Sequence, residues 1–199
     1  MGERSASTAG YREEAPLLVT QYESVTFDQV HREILHLMPQ QPMDVLELGA
    51  GTGRDAAALA ARGHRVTAVE PIVELRVHEG PGIDWVVDEL PALARVTGRF
   101  GLVLATAVWM HLDPAERRTA TGRVAELLAP GGRFVLHLRH GPVPQGRRMF
   151  EVTAAETAEL GAEFGLTEVY RGERADKHGR SGVSWSQLVL DRAPATVRG

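Results

Sequence analysis

Apolar residues follow two rhythms along this chain, and the switches between them predict its elements. Near the start, Phe27, Val30, Ile34, Leu35 and Met38 recur at helical spacing behind a capping pair, Thr26 with Gln29, and Pro39 closes the run. One helix is expected there. From Asp44 onward short apolar runs alternate with helical patterns, the sign of parallel strands joined by crossover helices. The strands are read at Val45 to Leu48, Arg65 to Val69, Ile83 to Val86, Phe100 to Ala105 and Arg133 to Leu138. Between them, AAALAAR reads as a second helix, stopped by Gly63. A third, capped by Asp113 with Pro114 in its first turn, continues through Val124, Leu127 and Leu128 until Pro130, Gly131 and Gly132. Another opens at Thr153 with Glu156 as its capping partner, placing Leu160 and Phe164 on one face. Two last strands, near Leu166 to Arg171 and Val183 to Asp191, have only the polar stretch GERADKHGRSG between them, so they should be antiparallel. The first dozen residues and the closing APATVRG carry no periodicity and are expected to fray. The pattern predicts an α/β fold: a doubly wound, mostly parallel sheet with helices on both faces and a C-terminal hairpin.

In such sheets ligands bind at the carboxyl ends of the strands, and the turn after the first strand is the usual cradle. That turn reads ELGAGTGRD. Gly49 and Gly51 let the backbone take positive φ and approach a ligand, and Thr52 is placed to cap the helix that follows. Glu70, at the end of the second strand, has the spacing from Gly49 that suits a carboxylate accepting hydrogen bonds from two ribose hydroxyls. Dinucleotide enzymes use G-x-G-x-x-G, whereas here the glycines stand at 49, 51 and 53 with Arg54 where a third would fall, which argues against a nicotinamide-dependent reductase.

With Glu47 preceding those glycines, the chain resembles a class I S-adenosylmethionine-dependent methyltransferase. Five motifs carry the resemblance in order: VLELGAGTG, VTAVEP, WVVDELP, FGLVLATAVWMHL and LLAPGGRFVLHL. The resemblance implies a seven-stranded sheet ordered 3-2-1-4-5-7-6 with the seventh strand antiparallel, and S-adenosylmethionine as cofactor, leaving S-adenosylhomocysteine as product. By position, it implies that Gly49, Ala50 and Gly51 contact the methionine part and Glu70 the ribose. Asp88 would meet the adenine amino group with the amide of Glu89 or Leu90 nearby, Pro71 and Ile72 would flank the ring, and Thr106 would lie near the amino-acid end. Tyr22 stands where related enzymes fold a tyrosine over the cofactor, with Tyr11 nearby, so residues 11–27 are read as a lid. Two of these positions have another reading: Glu47 as a carboxylate that holds the loop, Asp88 as a helix cap before ELPAL. Only a dozen residues, PIVELRVHEGPG, separate the second and third strands, so the helix there should be short. The organisation expected is an N-terminal segment with a lid and cap helix (1–40), the methyltransferase domain (41–192) and a flexible tail (193–199).

A sulfonium methyl is intrinsically electrophilic, so such a protein mainly aligns the attacking atom and excludes water, with a base where a proton must leave. His111 and His140, after the fourth and fifth strands, are the base candidates; capping is the alternative for His111. Trp109 and Arg139 are candidate substrate contacts, Trp109 alternatively core and Arg139 alternatively paired with a carboxylate of the protein. Arg147 and Arg148 read equally as a solvated loop or an anion site. Lys177, His178, Arg180 and Trp185 are read as surface packing unless the hairpin reaches the acceptor.

Composition removes several alternatives. With 199 residues, one domain is expected. A formal charge of −4 makes no field that calls for nucleic acid or membrane. The absence of cysteine excludes disulfides, thiolate metal sites and the cysteine nucleophile of cytosine C5 methylation. The slot after the fourth strand reads ATAVWMH rather than an Asn/Asp-Pro-Pro-Tyr type motif for nucleic-acid amino groups. No apolar run approaches about 20 residues and MGERSASTAG lacks a signal-peptide layout, so the expectation is a cytoplasmic protein with no metal and a small-molecule acceptor. A non-catalytic partner or sensor subunit that binds the cofactor is the alternative, and a scaffolding domain a more distant one.

Overall fold

The sheet has seven strands in the order β3-β2-β1-β4-β5-β7-β6. They are β1 (Asp44–Leu48), β2 (Arg65–Val69), β3 (Ile83–Val86), β4 (Phe100–Thr106), β5 (Leu128–His140), β6 (Leu166–Ala175) and β7 (Ser184–Arg192). Neighbours from β3 through β5 pair in parallel, and β7 runs antiparallel to both β5 and β6. This computed structural model describes residue 8 and residues 10–195; the extreme ends expected to fray, 1–7, 9 and 196–199, lie outside the described residues. Among the described residues no helix is long and apolar enough to cross a membrane.

Side chains alternate across a strand, so β1 splits its residues between two cores. Leu46 and Leu48 join Val103, Phe134, Leu136 and Leu188 on one face, whereas Val45 joins Val66, Leu102, Val135 and Val189 on the other. On the first face, α4 (Pro114–Leu127) contributes Ala120 and Val124 and α5 (Ala154–Glu163) contributes Ala154; on the second, α3 (Arg54–Ala61) contributes Ala56 and Leu59. The Asp113 cap forms with its reciprocal Glu116 bond. At Thr153 only half of the expected box exists: its hydroxyl accepts from the Glu156 amide, while the Glu156 carboxylate pairs with the buried Arg117 at 2.6 Å.

Three expectations are corrected. The run from Phe27 to Met38 is not one helix: α2 (Phe27–Val30) stops after one turn, and a 3-10 segment, Arg32–Leu37, continues the buried face. The break falls at His31, whose fully buried ring bonds Asp55 and His137, so two tertiary hydrogen bonds set the backbone there. Pro130-Gly131-Gly132 does not separate α4 from β5 either. The helix passes straight into the strand at Leu128, and a register shift opposite Phe100 to Leu102 absorbs the irregular residues. Finally, Thr52 does not cap α3, because Gly53 takes the N-cap position at φ +81° with no side-chain cap.

A helix that periodicity does not announce, α1 (Ala15–Glu23), lies across the carboxyl end of the sheet with Pro16 in its first turn. Its Ala15 and Leu18 pack on Ile72 and Leu75, and Tyr11, Val19 and Tyr22 close around them. Ile72 and Leu75 belong to the segment between β2 and β3, where the short helix expected is a single 3-10 turn, Val73–Leu75.

Candidate active site

A cavity of about 410 Å³ opens at the carboxyl ends of β1, β2, β4 and β5, within the usual range for small-molecule sites. Its floor is the turn after β1. Gly49, Gly51 and Gly53 have φ of +63°, +55° and +81°, a region that glycine enters without strain. Space decides as well at Gly49, where a Cβ would stand 2.6 Å from the Val108 side chain. Glu70, 5% exposed, accepts from the Gly51 and Ile72 amides at 2.9 Å each, tying the glycine turn to the end of β2. Burial pushes its carboxyl above the ordinary glutamate value, and those two amides pull it partly back. Asp88 caps no helix. The chain after β3 is a series of turns, and the Asp88 carboxylate accepts from the amides of Glu89 (2.9 Å) and Arg95 (2.6 Å) while still lining the cavity.

Beside the glycine turn, Glu47 Oε2 at the end of β1 and Thr106 Oγ1 at the end of β4 are buried and have no hydrogen-bond partner among the described residues. Glu47 faces the same core as Val45 and stands near Asp55; burial, and then that neighbouring carboxylate, push its carboxyl well above the usual range. Asp55 goes the other way despite its burial, because His31 and Arg54 hold it below the ordinary carboxylate value. Its oxygens accept from His31 Nε2 at 2.8 Å and Arg54 Nε at 2.7 Å, and Arg54 also donates to the Tyr22 carbonyl. The turn, α2 and α1 are thereby linked through one carboxylate.

Across the cavity stands His111, 6% exposed. Its Nδ1 faces the Arg148 carbonyl at 2.8 Å, and a carbonyl only accepts, so Nδ1 carries the hydrogen. Burial, and then the nearby cationic Arg147, Arg139 and Arg148, favour the neutral ring, although the Arg148 carbonyl works against them. Nε2 is then an acceptor, and the Tyr11 hydroxyl donates to it at 2.8 Å. Tyr11 is in turn bonded to Tyr22, and the Arg147 guanidinium lies 3.6 Å from its ring centroid.

With this geometry in view, relatives can be compared. The family described as a methyltransferase domain matches residues 45–132. Nodulation protein S of Rhizobium tropici is 30% identical over 175 residues, spanning 83% of this chain and 71% of that protein. The chain belongs to the class I S-adenosylmethionine-dependent methyltransferases. An uncharacterised methyltransferase of Mycobacterium tuberculosis is 34% identical over 110 residues, a match that spans 50% of this chain and only 41% of that protein. Among solved structures, 1,6-didemethyltoxoflavin-N1-methyltransferase of Burkholderia thailandensis superposes with a TM-score of 0.66 at 24% identity, covering 97% of this chain and 93% of that one. The N-methyltransferase NodS of Bradyrhizobium japonicum, with S-adenosyl-L-homocysteine, gives 0.66 at 18% identity, covering 91% and 97%. At these identities the two structures establish the fold, which is the sheet order the resemblance implied.

In this chain the expected cofactor positions Glu47, Gly49, Ala50, Gly51, Glu70 and Pro71 do line one cavity. So do Asp88, Glu89, Leu90, Thr106 and the lid residue Tyr22. Of the acceptor-side candidates, His111 and Arg139 line it as well. His140 does not: it faces a smaller neighbouring cavity and sits 2.7 Å from the Ser186 hydroxyl. Trp109 has no exposed surface and packs edge to face on Phe134 at 5.3 Å, inside the core rather than on the cavity wall. The sequence reading underweighted the final hairpin, since Lys177, His178, Arg180 and Trp185 all reach the cavity. Arg174 is not singled out at all, because the strand is read as ending near Arg171 and Arg174 falls in the linking stretch, whereas β6 extends to Ala175.

Proposed function

We propose that this chain transfers a methyl group to an N, O or S atom of a small-molecule acceptor. The observation that carries the reading is a shared cavity. In it a glycine turn with Glu70, Asp88 and two unpartnered polar atoms faces a neutral histidine whose Nε2 accepts a hydrogen bond. These residues suit S-adenosylmethionine: the turn admits a close backbone approach, Glu70 has lone pairs to spare for ribose hydroxyls, and Glu47 Oε2 and Thr106 Oγ1 offer bonds to an amino-acid end. When bound, the cofactor supplies an electrophilic sulfonium methyl.

The protein's residues do the rest. Asp88 is the adenine-side acceptor, with the Glu89 and Leu90 backbone beside it. Tyr11 and Tyr22 close the cavity against water; where a proton must leave the acceptor, the Tyr11 hydroxyl takes it while passing its own to His111 Nε2, to which it already donates. A small-molecule acceptor is supported by the cavity volume and by the Burkholderia structure, which holds 1,6-didemethyltoxoflavin. Calorimetric titration with S-adenosylhomocysteine, with NADH as comparison, tests the cofactor. Binding of the first alone is the expected result, and binding of neither would sink the reading.

The histidine's role predicts a pH profile. Because its pKa lies below the ordinary value of about 6.5, His111 stays neutral, and competent as a base, to lower pH than a free histidine. With a protonated nucleophile and saturating cofactor, kcat/KM for the acceptor should hold as pH falls to about 6.5 and drop only below it. His111→Gln should remove that acidic limb along with about 10²- to 10⁴-fold of rate. An unchanged limb in the variant would exclude His111 as the base.

A further inference from the structure

Arg139 on β5, Trp185 on β7 and Arg174 on β6 stand opposite one another in the sheet register. Residues in such a row share a face, and two strand spacings separate the arginine backbones by about 10 Å. Along β5 that face changes character toward the carboxyl end: Val135 is apolar, His137 is polar and uncharged, and Arg139 is cationic. All three members of the last row line the cavity.

The two arginines differ from the other guanidinium groups on this wall. Arg54, Arg147 and Arg180 are paired with Asp55, Glu14 and Asp176. Among the described residues Arg139, 9% exposed, donates only to the Pro142 carbonyl at 2.9 Å and toward the Met149 sulfur at 3.8 Å. Arg174 lies over the Trp185 ring at 4.7 Å and, among the described residues, donates only to the Ala175 carbonyl and has a buried Nε with no partner. The carboxylates nearby are engaged. Asp176 accepts from Arg180, from Trp185 Nε1 at 2.8 Å and from the amides of His178 and Arg180, and Glu33 is held by Lys177. A largely desolvated cation among neutral partners is stabilised by an incoming anion, and the planar guanidinium fork matches carboxylate and phosphate oxygens.

We propose that the acceptor carries an oxyanion, a carboxylate or a phosphate, and that Arg139 and Arg174 bind it on either side of Trp185. This rests on reading the cavity as a methyl-transfer site, and it adds the acceptor's chemical class. Burial depresses the pKa of both arginines, and Asp176, with Glu33 as well at Arg174, offsets it only in part.

Three matched probes test it: benzoate, phenyl phosphate and the neutral benzamide. Each is titrated into the full chain with and without S-adenosylhomocysteine, following the Trp185 indole and arginine Nε signals by NMR. An anionic probe should bind at least about tenfold more tightly than benzamide and shift the Trp185 signal. A preference for benzoate alone assigns a carboxylate acceptor, and one for phenyl phosphate alone a phosphate. Arg139→Gln and Arg174→Gln should each abolish the preference, and Arg139→Lys should retain part of it. Equal affinity of all three probes for the unmodified protein, which depends on no variant folding, overturns the inference; so does a preference that survives both glutamine variants. If S-adenosylhomocysteine fails to bind while the anion preference stands, the methyl-transfer reading falls and the anion site remains.

Discussion

Trp109→Ala should destabilise the protein by about 3 to 5 kcal/mol, measured as a lower urea midpoint at unchanged slope. The indole is fully buried against Phe134 among Leu, Val and Met side chains, so truncation removes dispersion contacts and leaves a void that β5 and α4 cannot close. Its Nε1 has no partner, so no hydrogen bond is lost in the change. Trp109→Phe should therefore cost much less, since the shape is largely kept and an unpaired buried N–H is removed. A wall residue that stacked on substrate would behave differently: alanine would raise KM and leave the urea midpoint in place.

Glu70→Ala should weaken S-adenosylhomocysteine binding by about 3 kcal/mol, more than a hundredfold. Two effects add. The ribose hydroxyls lose a charged acceptor, and the amides of Gly51 and Ile72, which Glu70 satisfies, are left to water or to nothing, so the turn loosens before any ligand arrives. The same carboxyl predicts a pH effect. Because its folded pKa is raised, it takes up a proton at a higher pH than an ordinary glutamate, and affinity should begin to fall above the usual carboxylate range as the solution is acidified. Calorimetry between about pH 5 and 7 reads this, and an affinity unchanged in the alanine variant would refute the assignment of Glu70 to the ribose.

The sheet was legible because its strands announce themselves. Val45 to Leu48, interrupted only by Glu47, and Leu102 to Ala105 are buried on both faces, and a short, mostly apolar run bounded by turns has few other solutions. The glycine turn was legible for a related reason, since three glycines in five positions mark a backbone under steric demand. Long-range polar contacts are not written locally. Nothing beside His31 in the chain reveals that Asp55 and His137, distant in sequence, will claim both its ring nitrogens and break the helix there. The acceptor side suffered from the same limit. Trp109 and His140 lie two and one residues from the cavity-lining His111 and Arg139, and one step along a strand or turn moves a side chain to another face. Arg174 is missed because the strand is read as ending at Arg171, whereas β6 runs on to Ala175 and carries Arg174 opposite Trp185.

That strand order also fixes what the margins of the sheet offer to another chain. One outer strand, β3, is only four residues long. The other, β6, is longer but carries Glu168, Arg171 and Glu173 exposed within six positions, and Arg171 is already bonded to Glu168. A foreign strand adding to either side would find too short a ladder or would have to strip water from a row of charges. The open edges of a doubly wound sheet are thus guarded against templated aggregation by brevity on one side and by charge on the other.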